Sequence, residues 1–184
     1  MVKIMKKVKS PQGRRVFTVA MIIICGYILQ GSIFPYLALA NIKPNILIII
    51  TASFGFMRGS KEGMFVGFFT GLLLDIQFGE ILGFYAMLYL VLGYVNGLFE
   101  QVYYRNETKL PLFLIGGSSF IYGLLIYFLR FVLRGEFNFF FYLQNIIIPE
   151  LIYTVVVSLV LYRIILYLNE RLETEEKRSA GKLV

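Results

Sequence analysis

The sequence predicts an all-α integral membrane protein, a six-helix transmembrane bundle. Three observations predict it. Of 184 residues, 58% are hydrophobic and only 16% charged, and the mean hydropathy is +0.75. Soluble domains are nearer ~45–50% apolar, and a soluble core of this size could not hide the excess. The apolar residues fall into six runs divided by short polar breaks, and about 20 apolar residues are needed for a helix to cross ~30 Å of hydrocarbon. The basic residues are also strongly uneven along the chain, as membrane topology requires.

Taken in order, residues 1–15 are a basic segment holding Lys3, Lys6, Lys7, Lys9, Arg14 and Arg15 with no acid. The first span covers 16–40. Ala38-Leu39-Ala40 imitates a signal-peptide cleavage site, but the apolar run is far longer than the ~7–15 residues of such a peptide, so the span is read as retained. Asn41 to Asn45 is a turn cluster, and the second span covers 45–58 around the twelve-residue run Ile46–Met57. Arg58 to Glu62 is a polar break, the third span covers 62–78, and Gly79-Glu80 turns the chain. The fourth span covers 82–102, the fifth 110–133 and the sixth 139–168. Residues 169–184 form a charged tail with balanced acids and bases, read as a solvated helix extension. The stretch 16–168 is thus one polytopic domain. Spans two and three are short: they cross with local thinning of the bilayer, or they form a re-entrant pair buried among the other helices.

With the N-terminus inside, fifteen of the eighteen Lys and Arg residues fall on the cytoplasmic side, and Lys43, Arg130 and Arg134 fall outside. This predicts a multi-pass membrane protein with both termini cytoplasmic. The net charge of +7 therefore reads as topology, with membrane lipid rather than nucleic acid as its counterpart. Each basic residue near an anionic surface contributes about 1 kcal/mol.

Composition also excludes chemistry. Histidine and tryptophan are absent and Cys25 is the lone cysteine. That removes the commonest general base, an intrachain disulfide and a zinc site; the thirteen tyrosines must supply the interfacial belt. A catalytic carboxylate pair would require Asp75 and Glu150 to meet. No enzyme activity, metal or cofactor is expected.

Between 59 and 83 a small or acidic residue recurs at every fourth position: Gly59, Gly63, Gly67, Gly71, Asp75, Gly79, Gly83. In lipid such a row makes a groove where another backbone can approach. Gly93 and Gly97 repeat the theme beside Asn96. The groove packs inside this chain, or receives a partner helix; a second copy would suit it equally, giving a homodimer. Asp75 is either hydrated at the interface or makes a hydrogen bond between helices or subunits that sets register. In the last span Pro149 removes a backbone hydrogen bond and frees the carbonyl near Asn145. With Gln144 and Glu150 this makes an intramembrane polar patch, either a bond within the bundle or a ligand or proton site.

The run Gly67-Phe-Phe-Thr-Gly71-Leu72-Leu-Leu-Asp75, then Gly79-Glu-Ile-Leu-Gly83-Phe-Tyr-Ala86-Met-Leu-Tyr89-Leu-Val-Leu-Gly93-Tyr94, resembles the central segment of the MreD family, small membrane proteins of the bacterial rod-shape system. The resemblance is firmest over 63–97. It implies a non-enzymatic subunit of the wall elongation complex, with MreC, the MreB filament, RodA and a class B penicillin-binding protein as partners. It also implies a bundle like the substrate-binding subunits of energy-coupling-factor transporters. Two functions follow as expectations: a scaffold docking MreC and wall synthases through glycine-lined grooves, and, as the alternative, a small-molecule subunit of a vitamin-uptake transporter. The first span lacks the alanine-x-x-x-alanine pattern of such subunits.

Overall fold

The computed structural model describes residues 11–38, 42–78, 82–102, 109–130 and 138–180, and among these every extended element is helical. Helix α1 runs Pro11–Ile28 and continues as a π-helical turn, Leu29–Ile33. Then follow α2 (Ile46–Arg58), α3 (Ser60–Phe78), α4 (Phe84–Gly97), a 3-10 turn (Glu100–Val102) and α5 (Lys109–Arg130). A final rod comprises α6 (Phe139–Tyr142), a π-helical segment (Leu143–Ile147) and α7 (Ile148–Ala180). Three stretches are long and apolar enough to cross a membrane: Gly13–Ile33, Lys109–Leu129 and Phe139–Thr174. Helices α2 and α4 are apolar but shorter.

The core is built around α2. Every residue from Ile46 to Met57 is buried, as expected of a helix that is apolar on all sides. Its 13 residues rise only about 20 Å, less than the ~30 Å of hydrocarbon. The shortness matters because the N-terminal end of α2 starts inside the bundle: Pro44 and Asn45 are already buried. Around it stand α3 and α4 as an antiparallel hairpin, with α1, α5 and α7 outside. Those outer helices expose large apolar residues on their far faces, among them Phe17, Ile24, Phe113, Phe128, Ile152, Val156 and Val160. A soluble monomer rarely exposes more than a few hundred Å² of contiguous apolar surface, so this coat belongs against lipid.

Several boundaries differ from the sequence reading. The first helix stops at Ile33, not residue 40, and the chain turns through Phe34–Leu37. Pro35 explains the stop: it has no N–H to continue the ladder and disfavours helix in the residue before it. The polar break after α2 shrinks to one residue, Gly59, whose φ of 87° turns the chain directly into α3. The fourth span ends as regular helix at Gly97 rather than 102. The last helix runs unbroken through 168 to Ala180, and its solvated extension begins later than 169, since Asn169 and Leu172 are buried. The expected loop at 103–108, the turn at 134–136 and residues 1–10 lie outside the described residues.

Candidate functional site

The glycine row resolves into a contact between two backbones. Helix α3 lays Gly63, Gly67 and Gly71 against α4, and α4 answers with Gly93 and Gly97. A Cβ placed on Gly67 would stand 2.6 Å from the carbonyl carbon of Tyr89, and one on Gly71 2.5 Å from the Cα of Ala86. On the other side, a Cβ on Gly93 would meet the carbonyl carbon of Gly63 at 2.5 Å, and one on Gly97 that of Gly59 at 2.6 Å. Gly55 of α2 joins them, with Gly93 O 2.7 Å from its notional Cβ. These distances leave no room for a side chain, and the opposing atoms are main chain that cannot swing aside. Of the two readings of the groove, packing within the chain is the one this contact matches: α4 of the same chain occupies it. Gly83 is a correction. It lies outside the contact, with nothing within 4 Å of its notional Cβ. It is glycine because its φ is 98° at the residue preceding α4, a conformation other residues seldom adopt. Gly79 lies outside the described residues.

Asp75 closes the hairpin. Its side chain is buried and accepts three main-chain hydrogen bonds: from Gly83 N at 3.0 Å, Tyr85 N at 2.8 Å and Ala86 N at 3.0 Å. The first N–H groups of a helix have no partner within it, and in lipid each unsatisfied group costs several kcal/mol. A carboxylate at that position also meets the positive end of the helix dipole. Asp75 thus caps α4 from the end of α3, so the inter-helix bond expected of it lies within the chain. The start of α2 is treated the same way. Asn45 Oδ1 accepts from Ile48 N at 3.1 Å, and Gln30 Oε1, from the π-helical turn after α1, accepts from Leu47 N at 3.1 Å. Asn45 also accepts the Tyr89 hydroxyl at 2.9 Å and donates its own N–H to Thr154 Oγ1 at 3.0 Å. One asparagine therefore joins α2, α4 and α7.

Further buried polar pairs tie the remaining helices. Thr51 and Thr70 share a hydroxyl bond of 3.0 Å between α2 and α3. Asn96 Nδ2 donates to Ser118 Oγ at 2.7 Å between α4 and α5. At the end of the bundle carrying the basic N-terminal helix, Arg58 Nε donates to Asn169 Oδ1 at 2.5 Å, and Arg15 pairs with Glu62. Sequence reading missed Asn45, Gln30, Gly55 and Asn169. The signals were faint: Asn45 and Asn169 stand at the borders of apolar runs, where solvation is the ordinary explanation, and Gln30 and Gly55 lie singly inside them.

At the opposite end the shortness of α2 leaves a cleft of about 660 Å³. Its floor is the buried strap Pro44-Asn45, and its walls come from Tyr27 of α1, Gln30 of the π-helical turn after it, Gln77 of α3, Tyr85 of α4 and Tyr122 of α5. The last rod contributes Asn145 and Glu150, and Lys43 lies on the same lining. The predicted polar patch therefore divides. Asn145 and Glu150 face the cleft, whereas Gln144 is exposed and does not line it. Pro149 leaves its mark as the π-helical segment Leu143–Ile147 just before it. Inserting an extra residue into the turn is a common way to accommodate a missing N–H. Asp75 and Glu150 do not form a pair, because Asp75 is committed to the α4 backbone. Among the described residues no group of three or more Cys, His, Asp or Glu side chains could hold a metal ion.

These features define a class: a helical membrane protein whose buried polar side chains and glycine-lined backbone contacts hold helices together. The family model of the rod shape-determining protein MreD matches residues 13–171, most of the chain. The chain belongs to the MreD family, which are structural membrane proteins acting in cell-shape determination. No curated protein and no solved structure matches it.

Proposed function

We propose that this chain is the membrane scaffold of the rod-shape complex, holding MreC and wall synthases (RodA and a class B penicillin-binding protein) in register above the MreB filament. The observation that carries the reading, beside family membership, is the α3–α4 hairpin. Backbone-to-backbone contact through five glycines and a three-bond carboxylate cap makes an element with little freedom to deform. Rigidity of this kind suits a part that positions others. Because α4 already fills the glycine groove, the glycines serve docking indirectly, by fixing the surfaces that α1, α5 and α7 present to partners, to lipid or to a second copy.

The alternation of helix directions supports six crossings, and the basic N-terminal flank supports both termini in the cytoplasm. The cleft then opens to the outer face. A concave outer end over a buried helix is also what the likeness to energy-coupling-factor binding subunits would produce, and it favours the second reading, a small-molecule subunit. Co-purification from native membranes decides between them. Recovery of MreC and wall synthases supports the scaffold; recovery of an ATPase module in their place overturns it.

A further inference from the structure

We propose that the cleft beside Glu150 binds a molecule carrying an organic ammonium group, with the Glu150 carboxylate as counter-charge and the rings of Tyr27, Tyr85 and Tyr122 as walls. Glu150 is partly buried on the cleft lining, and among the described residues it makes no hydrogen bond or ion pair. A carboxylate drawn out of water without a partner is costly, and an entering cation relieves that cost. Aromatic faces attract ammonium groups, more strongly when water is excluded. The volume of about 660 Å³ falls within the range of small-ligand sites, roughly 300–1,000 Å³.

The opposite charge is disfavoured for a reason visible in the fold. Helices α2 and α4 both begin near the cleft, and free helix N-termini would draw an anion. Here Asn45 and Gln30 cover the first N–H groups of α2 and Asp75 those of α4. What remains for an anion is Lys43 on the same lining, so a zwitterion with its ammonium toward Glu150 fits best. Ammonium groups of this kind reach the site from two sources, the ethanolamine headgroup of a phospholipid or a free amine in the aqueous phase.

The full chain is reconstituted in nanodiscs of phosphatidylglycerol alone, or with phosphatidylethanolamine added, and bound lipid is read by native mass spectrometry. In parallel, dicyclohexylcarbodiimide labelling of Glu150 in the phosphatidylglycerol discs is measured with and without tetramethylammonium. The expected result is protection or retention in one arm, which names the source, and at least tenfold weaker retention of that probe by Glu150→Gln. The labelling arm uses the unaltered protein, so a variant that fails to fold does not leave the question open. Unprotected labelling together with no preference for phosphatidylethanolamine overturns the site, as does equal retention by Glu150→Gln. Loss of ammonium binding with MreC recovery intact would sink this inference alone, since it does not rest on the scaffold reading.

Discussion

Replacing Asp75 tests the principle on which the hairpin is built. Asp75→Ala leaves the N–H groups of Gly83, Tyr85 and Ala86 without their acceptor, in a position only 3% exposed. A hydrogen bond to a charged group is worth about 1.5–3 kcal/mol in a buried aqueous-protein setting. Inter-helix bonds in membranes run lower, about 0.6–2 kcal/mol. At about 1–2 kcal/mol per bond the three together contribute roughly 3–6 kcal/mol. For a chain of this length each kcal/mol moves Tm by about 2–4 °C, so Asp75→Ala should lower it by roughly 6–24 °C. Asp75→Asn should fall between the two proteins. Its single oxygen can keep the pair of bonds that Oδ2 now accepts from Gly83 and Ala86, losing one bond and the charge, about 1–3 kcal/mol. The assay is thermal unfolding in detergent by far-ultraviolet circular dichroism, after checking that each variant reaches the membrane fraction. A Tm for Asp75→Ala within about 2 °C of the unaltered protein, or an Asn variant worse than the Ala variant, would refute the capping argument.

Two further predictions use the same assay. Gly71→Ala puts a methyl group 2.5 Å from the Cα of Ala86 and should cost at least about 1–3 kcal/mol. Gly117→Ala, with nothing within 4 Å, should be neutral or gain up to about 1 kcal/mol from helix propensity; equal effects at the two glycines would contradict the packing. At the basic end, Asn169→Ala removes the buried oxygen that accepts from Arg58 Nε and should cost about 1–3 kcal/mol. Arg15→Ala breaks a pair whose side chains are 27% and 26% exposed and should cost under about 1 kcal/mol; the reverse order would show that α1, not α7, anchors this end.

Much of the architecture was legible before any coordinates. Apolar runs marked the helices because lipid demands internally bonded, apolar segments. The four-residue recurrence Gly63, Gly67, Gly71 marked a close helix contact, and Pro149 marked a disturbed turn. The sequence alone determined the class and the family likeness.

Tertiary structure alone decided what those residues face. Periodicity places Gly63, Gly67 and Gly71 on one side of a helix, but whether that side meets α4, a partner or a second copy depends on how the next forty residues fold back. The role of Asp75 was hidden for the same reason, since its partners lie eight to eleven positions downstream across a turn. Asn45 shows the limit most plainly. Beside a proline and an apolar run it reads as a loop residue at the membrane edge, yet burial of the short helix α2 carries it into the bundle, against residues 44 and 109 positions away. Local composition sets which segments become helices; the depth at which each sits comes from satisfying every helix end at once, a condition no single segment contains.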